Sequence, residues 1–336
     1  MIGIVIRRLI ALVAIIIGVT MVTFLIARVI PGDPALLLAG PNATPDVVAK
    51  IHEQLGLDRP LHVQFASYLD GLIHGDFGVS IVTRRPVLEE ITSLLPATLE
   101  LMLTAMVLGL FGGVSLGVAA ALYRNRWLDH VIRILSVTAI SMPGFWIALV
   151  LLYLFYGVLG WAPGPGRFDP LLTPPPSVTG FLLVDSLLAL DFRAFASAAS
   201  HLALPAITLA VLSIGAGMRL VRGSMIEALS QDYIRTARAF GLPERKIILS
   251  YALKNALLPF ITVFGLELAS LIFGSVVIES IFSWPGLGSF VLSAIFALDF
   301  PVIMGFTVCA SVVYVFANLL VDIVYLLLDP RVRGIG

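Results

Sequence analysis

Charge is scarce in this chain of 336 residues: Asp, Glu, Lys and Arg make up 12% of it and hydrophobic residues 59%. Ordinary soluble domains carry roughly 25% charged residues. A water-solvated globule cannot hide that much apolar surface, so the bilayer must be the main solvent. Neither sign is in excess, with 21 basic and 21 acidic residues, so nothing points to a nucleic-acid partner. The single cysteine, Cys309, lies in an apolar run. It excludes an internal disulfide and any cysteine-built metal site, and reads as a small buried hydrophobe. No Gly-x-x-x-x-Gly-Lys-Ser/Thr loop occurs, so the chain is not expected to hydrolyse ATP. His52-Glu53 opens a zinc-protease-like pattern, but Gly56 stands where the second histidine is needed. Gly113-Val114-Ser115-Leu116-Gly117 fits the nucleophile-elbow formula. A general base within the bilayer would also be required, yet His52, His62, His74, His130 and His201 all fall in loops or at helix ends. No catalytic, metal or cofactor residues are therefore expected.

What is present is long apolar segments. Six stretches can cross about 30 Å of hydrocarbon as helices: 9–30, 96–122, 134–160, 202–220, 257–281 and 300–328. The first is too long for a signal-peptide core and is followed by Arg28-Val29-Ile30-Pro31-Gly32-Asp33-Pro34 rather than a small-residue cleavage site, so a retained span is expected. A weaker stretch, 181–190, is interrupted by Asp185 and is expected on the membrane surface or in a loop. On the second span Gly109, Gly113 and Gly117 recur every fourth residue, a spacing that lets helix backbones approach closely.

Fourteen basic residues cluster at one set of span ends, at Arg7–Arg8, Arg124–Arg133, Arg219–Lys254 and Arg331–Arg333, against seven on the other side. Both termini of this multi-pass membrane protein are therefore expected in the cytoplasm, consistent with an even number of spans. On the outer side, 31–95 carries helix signals. Thr44-Pro45-Asp46 offers a cap with proline at the first helical position, Val47, Ile51 and Leu55 form a stripe, and Gly56 can close it. A second amphipathic stretch, 61–73, aligns Phe65, Tyr68, Leu69 and Leu72. The expected domains are 1–30 (N-terminus and first span), 31–95 (a small external helical cap) and 96–336 (the core). The core carries an irregular, Pro- and Gly-rich external loop at 161–200 and a cytoplasmic loop at 223–256.

That inner loop is strongly patterned. From Met225 to Phe240, Ile226, Leu229, Tyr233, Ala237 and Phe240 follow helical steps, with Arg235 and Arg238 outside the stripe. Gly241 can stop the helix and Pro243 can start another. An amphipathic helix lying on anionic lipid is one reading; a docking element for a cytoplasmic partner is the other.

The run Asp232-Tyr233-Ile234-Arg235-Thr236-Ala237-Arg238-Ala239-Phe240-Gly241-Leu242, followed by Ala252-Leu253-Lys254-Asn255-Ala256-Leu257-Leu258-Pro259, resembles the cytoplasmic loop of binding-protein-dependent ABC importer permeases. The likeness is to their dipeptide/oligopeptide/nickel branch. Arg7-Arg8, Pro31-Gly32-Asp33-Pro34, Gly75-Asp76-Phe77-Gly78 and Phe282-Ser283-Trp284-Pro285-Gly286-Leu287-Gly288 agree with that branch, and Thr179-Gly180-Phe181 with Val184-Asp185 is similar to B-type dipeptide permease subunits. The importers' Glu-Ala-Ala-x-x-x-Gly pattern is altered: Arg235 and Thr236 fill the first two places, Ala237 and Gly241 are retained, and Phe240 replaces the branch's usual lysine.

The resemblance implies an all-α, six-helix, type I importer-like permease with no cofactor of its own. The implied partners are a second permease subunit, two ATP-binding subunits that hold ATP and Mg, and an external substrate-binding protein. Tyr233, Arg235, Thr236, Ala237, Arg238, Phe240, Gly241 and Leu242 become the expected ATPase-docking residues. Peptides are the first expected cargo, with nickel chelates, glutathione or haem as alternatives within the family. Glu100, Glu267, Glu279 and Asp322 lie in or near spans, where charge is costly. Glu100 and Glu279 are expected to reach the outer interface; Glu267 and Asp322 are candidate pore or structural charges. Such charges could also serve a proton-coupled secondary transporter, which would have no need of the docking loop.

Overall fold

The computed structural model describes residues 2–29, 34–39, 43–54 and 56–328. Among them the regular structure is helical, apart from one isolated antiparallel bridge between Val79 and Pro86. The helices are α1 (Ile2–Val29), α2 (Pro34–Ala39), α3 (Pro45–Gln54), α4 (Leu61–Ile73), α5 (Val87–Leu122), α6 (Trp127–Ser141) and α7 (Gly144–Leu151). After a π-helical segment, Leu152–Val158, come α8 (Leu182–Leu188), α9 (Phe192–Ser230), α10 (Asp232–Ala239) and α11 (Glu244–Lys246). A second π segment, Ile247–Ala252, leads into α12 (Leu253–Ile281), α13 (Leu287–Ala297) and α14 (Phe300–Leu328).

Two compact units divide these elements, Met1–Pro96 with Gly286–Val315 and Ala97–Pro285 with Phe316–Gly336. In the first, α3 begins at Pro45, where the cap signal lies, and α4 coincides with the amphipathic stretch expected at 61–73. Phe65 and Tyr68 on α4 pack against Phe24 of α1, with ring centroids 5.4 and 6.3 Å apart, and Phe300 and Met304 of α14 complete the cluster. Phe65 and Tyr68 of the amphipathic α4 stripe are thus half-buried against α1 and α14. The Pro31-Gly32-Asp33 stretch and the basic ends at Arg331 and Arg333 lie outside the described residues.

In the second unit α9 is the central element, with most of its apolar stretch buried. The glycine stripe of α5 lies along it: a Cβ on Gly113 would sit 3.2 Å from Gly217 Cα, and one on Gly117 only 2.7 Å from Val221 Cβ. Phe260 of α12 also closes on Gly217, where a Cβ would meet its ring at 2.9 Å. Small residues at four-residue steps on both helices let the backbones touch, which is how helices associate where no hydrophobic effect separates them from lipid.

Four described helices, or helical runs, are long and apolar enough to cross a membrane: Val87–Leu122, Phe192–Ser230, Glu244–Gly265 and Phe300–Leu319. The stretch expected to form one span at 134–160 is instead a bent pair, Trp127–Ser141 and Gly144–Val158, meeting at 111°. Pro143 explains the break: it opens α7 with ψ 137°, and Met142 before it is held extended at ψ 135°. The loop expected to be irregular across 161–200 contains α8, and α9 already begins at Phe192, where the Asp191 side chain caps it by accepting from Arg193 N and Ala194 N.

The helix contacts yield a direct test. Gly117→Ala forces a methyl into Val221 and should destabilise the protein by about 1–3 kcal/mol through overpacking. Gly223→Ala on α9, where nothing lies within 4 Å, should leave the melting temperature of the detergent-solubilised protein unchanged or slightly raised.

Candidate functional site

The loop after α9 is built in three steps. Gln231 turns out of the helix with ψ 153°, ending α9 and preceding α10. The single helix expected from Met225 to Phe240 is therefore broken, and the break resets which residues share a face. Ile234 and Ala237 are buried among Met225, Ala228, Ile247 and Ala252. Ala237, expected in the outward stripe, faces inward and anchors α10. Tyr233, Arg235, Thr236, Arg238 and Phe240 form the exposed side, with Phe240 81% exposed.

The end of α10 is a Schellman turn. Gly241 N donates to Arg238 O (2.9 Å) and Leu242 N to Ala237 O (3.2 Å), while Leu242 packs on the cluster that holds Ala237. Gly241 has φ +72°, the left-handed conformation expected of it, with open space where a side chain would start. Arg238 reaches across the turn to Glu244, with Nε to Oε1 at 2.8 Å, and that hydrogen bond holds the guanidinium's pKa above its ordinary value. Asn255 Nδ2 of α12 donates to Tyr233 Oη (3.2 Å), and the Thr236 hydroxyl donates back to Asp232 O. Arg235 meets only Asp232, an exposed pair of little energetic weight. At the same end of α9, Arg222 grips the buried Asp129 of α6 through Nε (2.6 Å) and Nη2 (2.8 Å), and Asn125 N donates to the same carboxylate. The exposed face of α10 is thus carried on a braced base.

A second polar cluster was not legible as such. Glu100 and Glu279, expected at the outer interface, are buried. Arg167 Nη2 donates to Glu100 Oε2 (2.6 Å) and to Gly180 O (2.7 Å), and Leu183 N donates to Glu100 Oε1 (2.7 Å). The guanidinium also stands over the Trp284 ring at 5.7 Å, and Trp284 Nε1 donates to Ala97 O. Thr98 donates its hydroxyl to Glu279 at 2.8 Å. Asp185 accepts from Thr179 N, Thr179 Oγ1 and Gly180 N. These contacts fasten the 161–190 segment to α5 and to Trp284 just beyond α12, while Thr98 and Glu279 join α5 to α12. The one available signal was Arg167, a cation isolated in a Pro- and Gly-rich run.

Of the remaining candidates, Glu267 on α12 meets Ser213 of α9. Asp322 lies on α14, its side chain outside the described residues. Among the described residues no group of His, Cys, Asp or Glu could hold a metal.

Bent and proline-containing apolar helices, close glycine packing and a braced amphipathic loop define a polytopic helical membrane protein. The chain matches the model of the binding-protein-dependent transport system inner membrane component over residues 113–334, and that family's N-terminal region over 1–102. It belongs to that family. It is 53% identical to the probable D,D-dipeptide transport system permease protein of Escherichia coli K12, covering 98% of this chain and 97% of that one. It is 42% identical to the di/tripeptide transport system permease protein of Pseudomonas aeruginosa, with 99% of both chains covered. It is 38% identical to the glutathione transport system permease protein of Salmonella typhimurium, again with 99% of both covered. The chain is a permease component of such a transporter rather than an enzyme.

The Asp185 contacts carry a pH dependence. Burial pushes this carboxyl's pKa up, but the hydrogen bonds from Thr179 and Gly180 outweigh it and leave the value below the ordinary 3.8. The charged form is thus favoured in the folded state, and its contribution is complete above the ordinary value and lost as pH falls through the depressed one. The melting-temperature gap between wild type and Asp185→Asn should be constant from neutral pH down to about 4 and shrink below it. A gap independent of pH would refute the assignment.

Proposed function

We propose that this chain forms one half of the translocation pore of an ATP-driven importer of dipeptides and oligopeptides. A second permease subunit supplies the other half, two cytoplasmic ATPase subunits bind and hydrolyse ATP, and an external binding protein delivers the cargo. Six spans place both termini and the 223–256 loop in the cytoplasm and the 31–95 cap outside, a reading supported by the fourteen-to-seven distribution of basic residues. The names carried by relatives favour peptides, D,D-dipeptides foremost, with glutathione a lesser candidate; nickel chelates or haem rest on the family resemblance alone.

The observation that carries the coupling role is the two-faced α10. Its inner face, Ile234 and Ala237, is buried in the chain's own core, while Phe240 projects with Tyr233, Arg235, Thr236 and Arg238 around it. An exposed aromatic ringed by polar side chains fits a groove in a partner, as anchors at protein interfaces do. Nucleotide-driven closure of the ATPases would push on this rigid knob, and α9 and α12, joined to it, would carry the displacement into the pore. Gly241 and Leu242 hold the knob through the Schellman turn rather than by contact.

Losing such an anchor costs about 2 kcal/mol or more. Phe240→Ala should therefore reduce ATPase subunits recovered with the permease by roughly tenfold or more, with its level in the membrane unchanged. Gly241→Val strains the turn by about 1–2 kcal/mol and should lower import of D-alanyl-D-alanine into proteoliposomes bearing the whole complex. Normal ATPase recovery and normal import by both variants would refute the coupling role.

A further inference from the structure

Within the first unit, where α1, α4, the 76–81 turn and the start of α14 meet, lies a partly open cavity of about 550 Å³. That is within the range of roughly 300–1,000 Å³ typical of small-molecule sites. No role assigned above uses it. Its wall combines both signs of charge, Arg28 and Arg59 with Glu53 and Asp76. Two polar atoms on that wall are buried without a hydrogen-bond partner, Gln64 Oε1 and Tyr68 Oη. The amide nitrogen of Gln64 is already committed to Leu57 O (2.9 Å) and Arg59 O (2.8 Å), which fixes the orphaned oxygen as an acceptor in a set orientation. Rings of Phe24 and Phe77 supply an apolar wall, and Arg28 stands over Phe24 at 5.3 Å.

Buried polar groups are normally satisfied, so paired orphans in a cavity mark partners that a ligand can supply. An acceptor with carboxylates suits an ammonium group; a phenol with two guanidinium groups suits an oxyanion. We infer that this cavity binds a small zwitterion, a primary ammonium joined to an oxyanion, making it an accessory site on the cap. A free dipeptide and an ethanolamine phosphate headgroup share that chemistry. The dipeptide source rests on the peptide-importer reading; the cavity and its chemistry do not.

The test uses the full chain in nanodiscs of phosphatidylglycerol, which carries no ammonium, with binding read by saturation-transfer NMR. The probes are D-alanyl-D-alanine, its N-acetyl and C-terminal amide derivatives, and O-phosphoethanolamine. Binding of D-alanyl-D-alanine, weakened at least tenfold by blocking either end and by Arg59→Gln or the cavity-filling Ser67→Trp, is the expected result. Binding of O-phosphoethanolamine alone, lost in the same variants, supports the zwitterion site with lipid as its source. If neither probe binds, if blocked dipeptides bind equally well, or if both variants bind like wild type, the inference is overturned. Import by the whole complex is measured in parallel. Import without binding at the cap overturns the site and leaves the importer reading standing, whereas binding without import does the reverse.

Discussion

The close approach of α5 and α12 to α9 is the constraint on which the larger unit depends. In an apolar solvent helices gain little by hiding apolar surface, so contact must come from fit. Gly113 and Gly217 provide it by letting two backbones meet, with the Phe260 ring packed against the same glycine. Because α9 is a single 39-residue helix, the same packing that centres it in the apolar region also fixes the angle at which its far end presents α10. A displacement applied at that end therefore cannot be absorbed locally; it must repack the α5 and α12 contacts or move them together.

Charge plays the complementary part. Charge is scarce, and three of the buried carboxylates are closely matched: Glu100 by Arg167, Asp129 by Arg222, Asp185 by the amides and hydroxyl of Thr179 and Gly180. Breaking such a pair from one side leaves a charge uncompensated in a poor solvent, at a cost of about 3–5 kcal/mol. These pairs are best understood as fasteners that fix irregular segments to helices. The 161–190 segment is held in this way at one end of the unit, and the Asn125 turn at the other.

Much of this was readable from residue order. The helical class, the helices starting at Pro45 and Leu61, the glycine stripe and the left-handed Gly241 each follow from a local rule, and local rules are what a single sequence exposes. The misreadings have a common cause, because each depends on what a residue meets in space. Ala237 shared a helical stripe with Phe240 only if the helix ran through Gln231; with the break, one faces the core and the other solvent. The stretch 134–160 has the length and apolarity of a straight span, but Pro143 divides it. Glu100 and Glu279 looked like interfacial charges because their partners, Arg167 and Thr98, are set by tertiary contacts rather than spacing.

In the proposed coupling Phe240 touches the ATPase, whereas Ala237, three residues away, is buried inside the permease. Because Cys309 is the only cysteine, a Cys309→Ser background allows single cysteines to be placed at 240, at 237 and, on the cap, at 67. In the assembled complex, a short bifunctional cross-linker should join position 240 to the ATPase subunit and stop import when it reacts. Positions 237 and 67 should give no such product. Cross-linking to the ATPase from position 67, or none from 240 in a complex that still imports, would contradict the account.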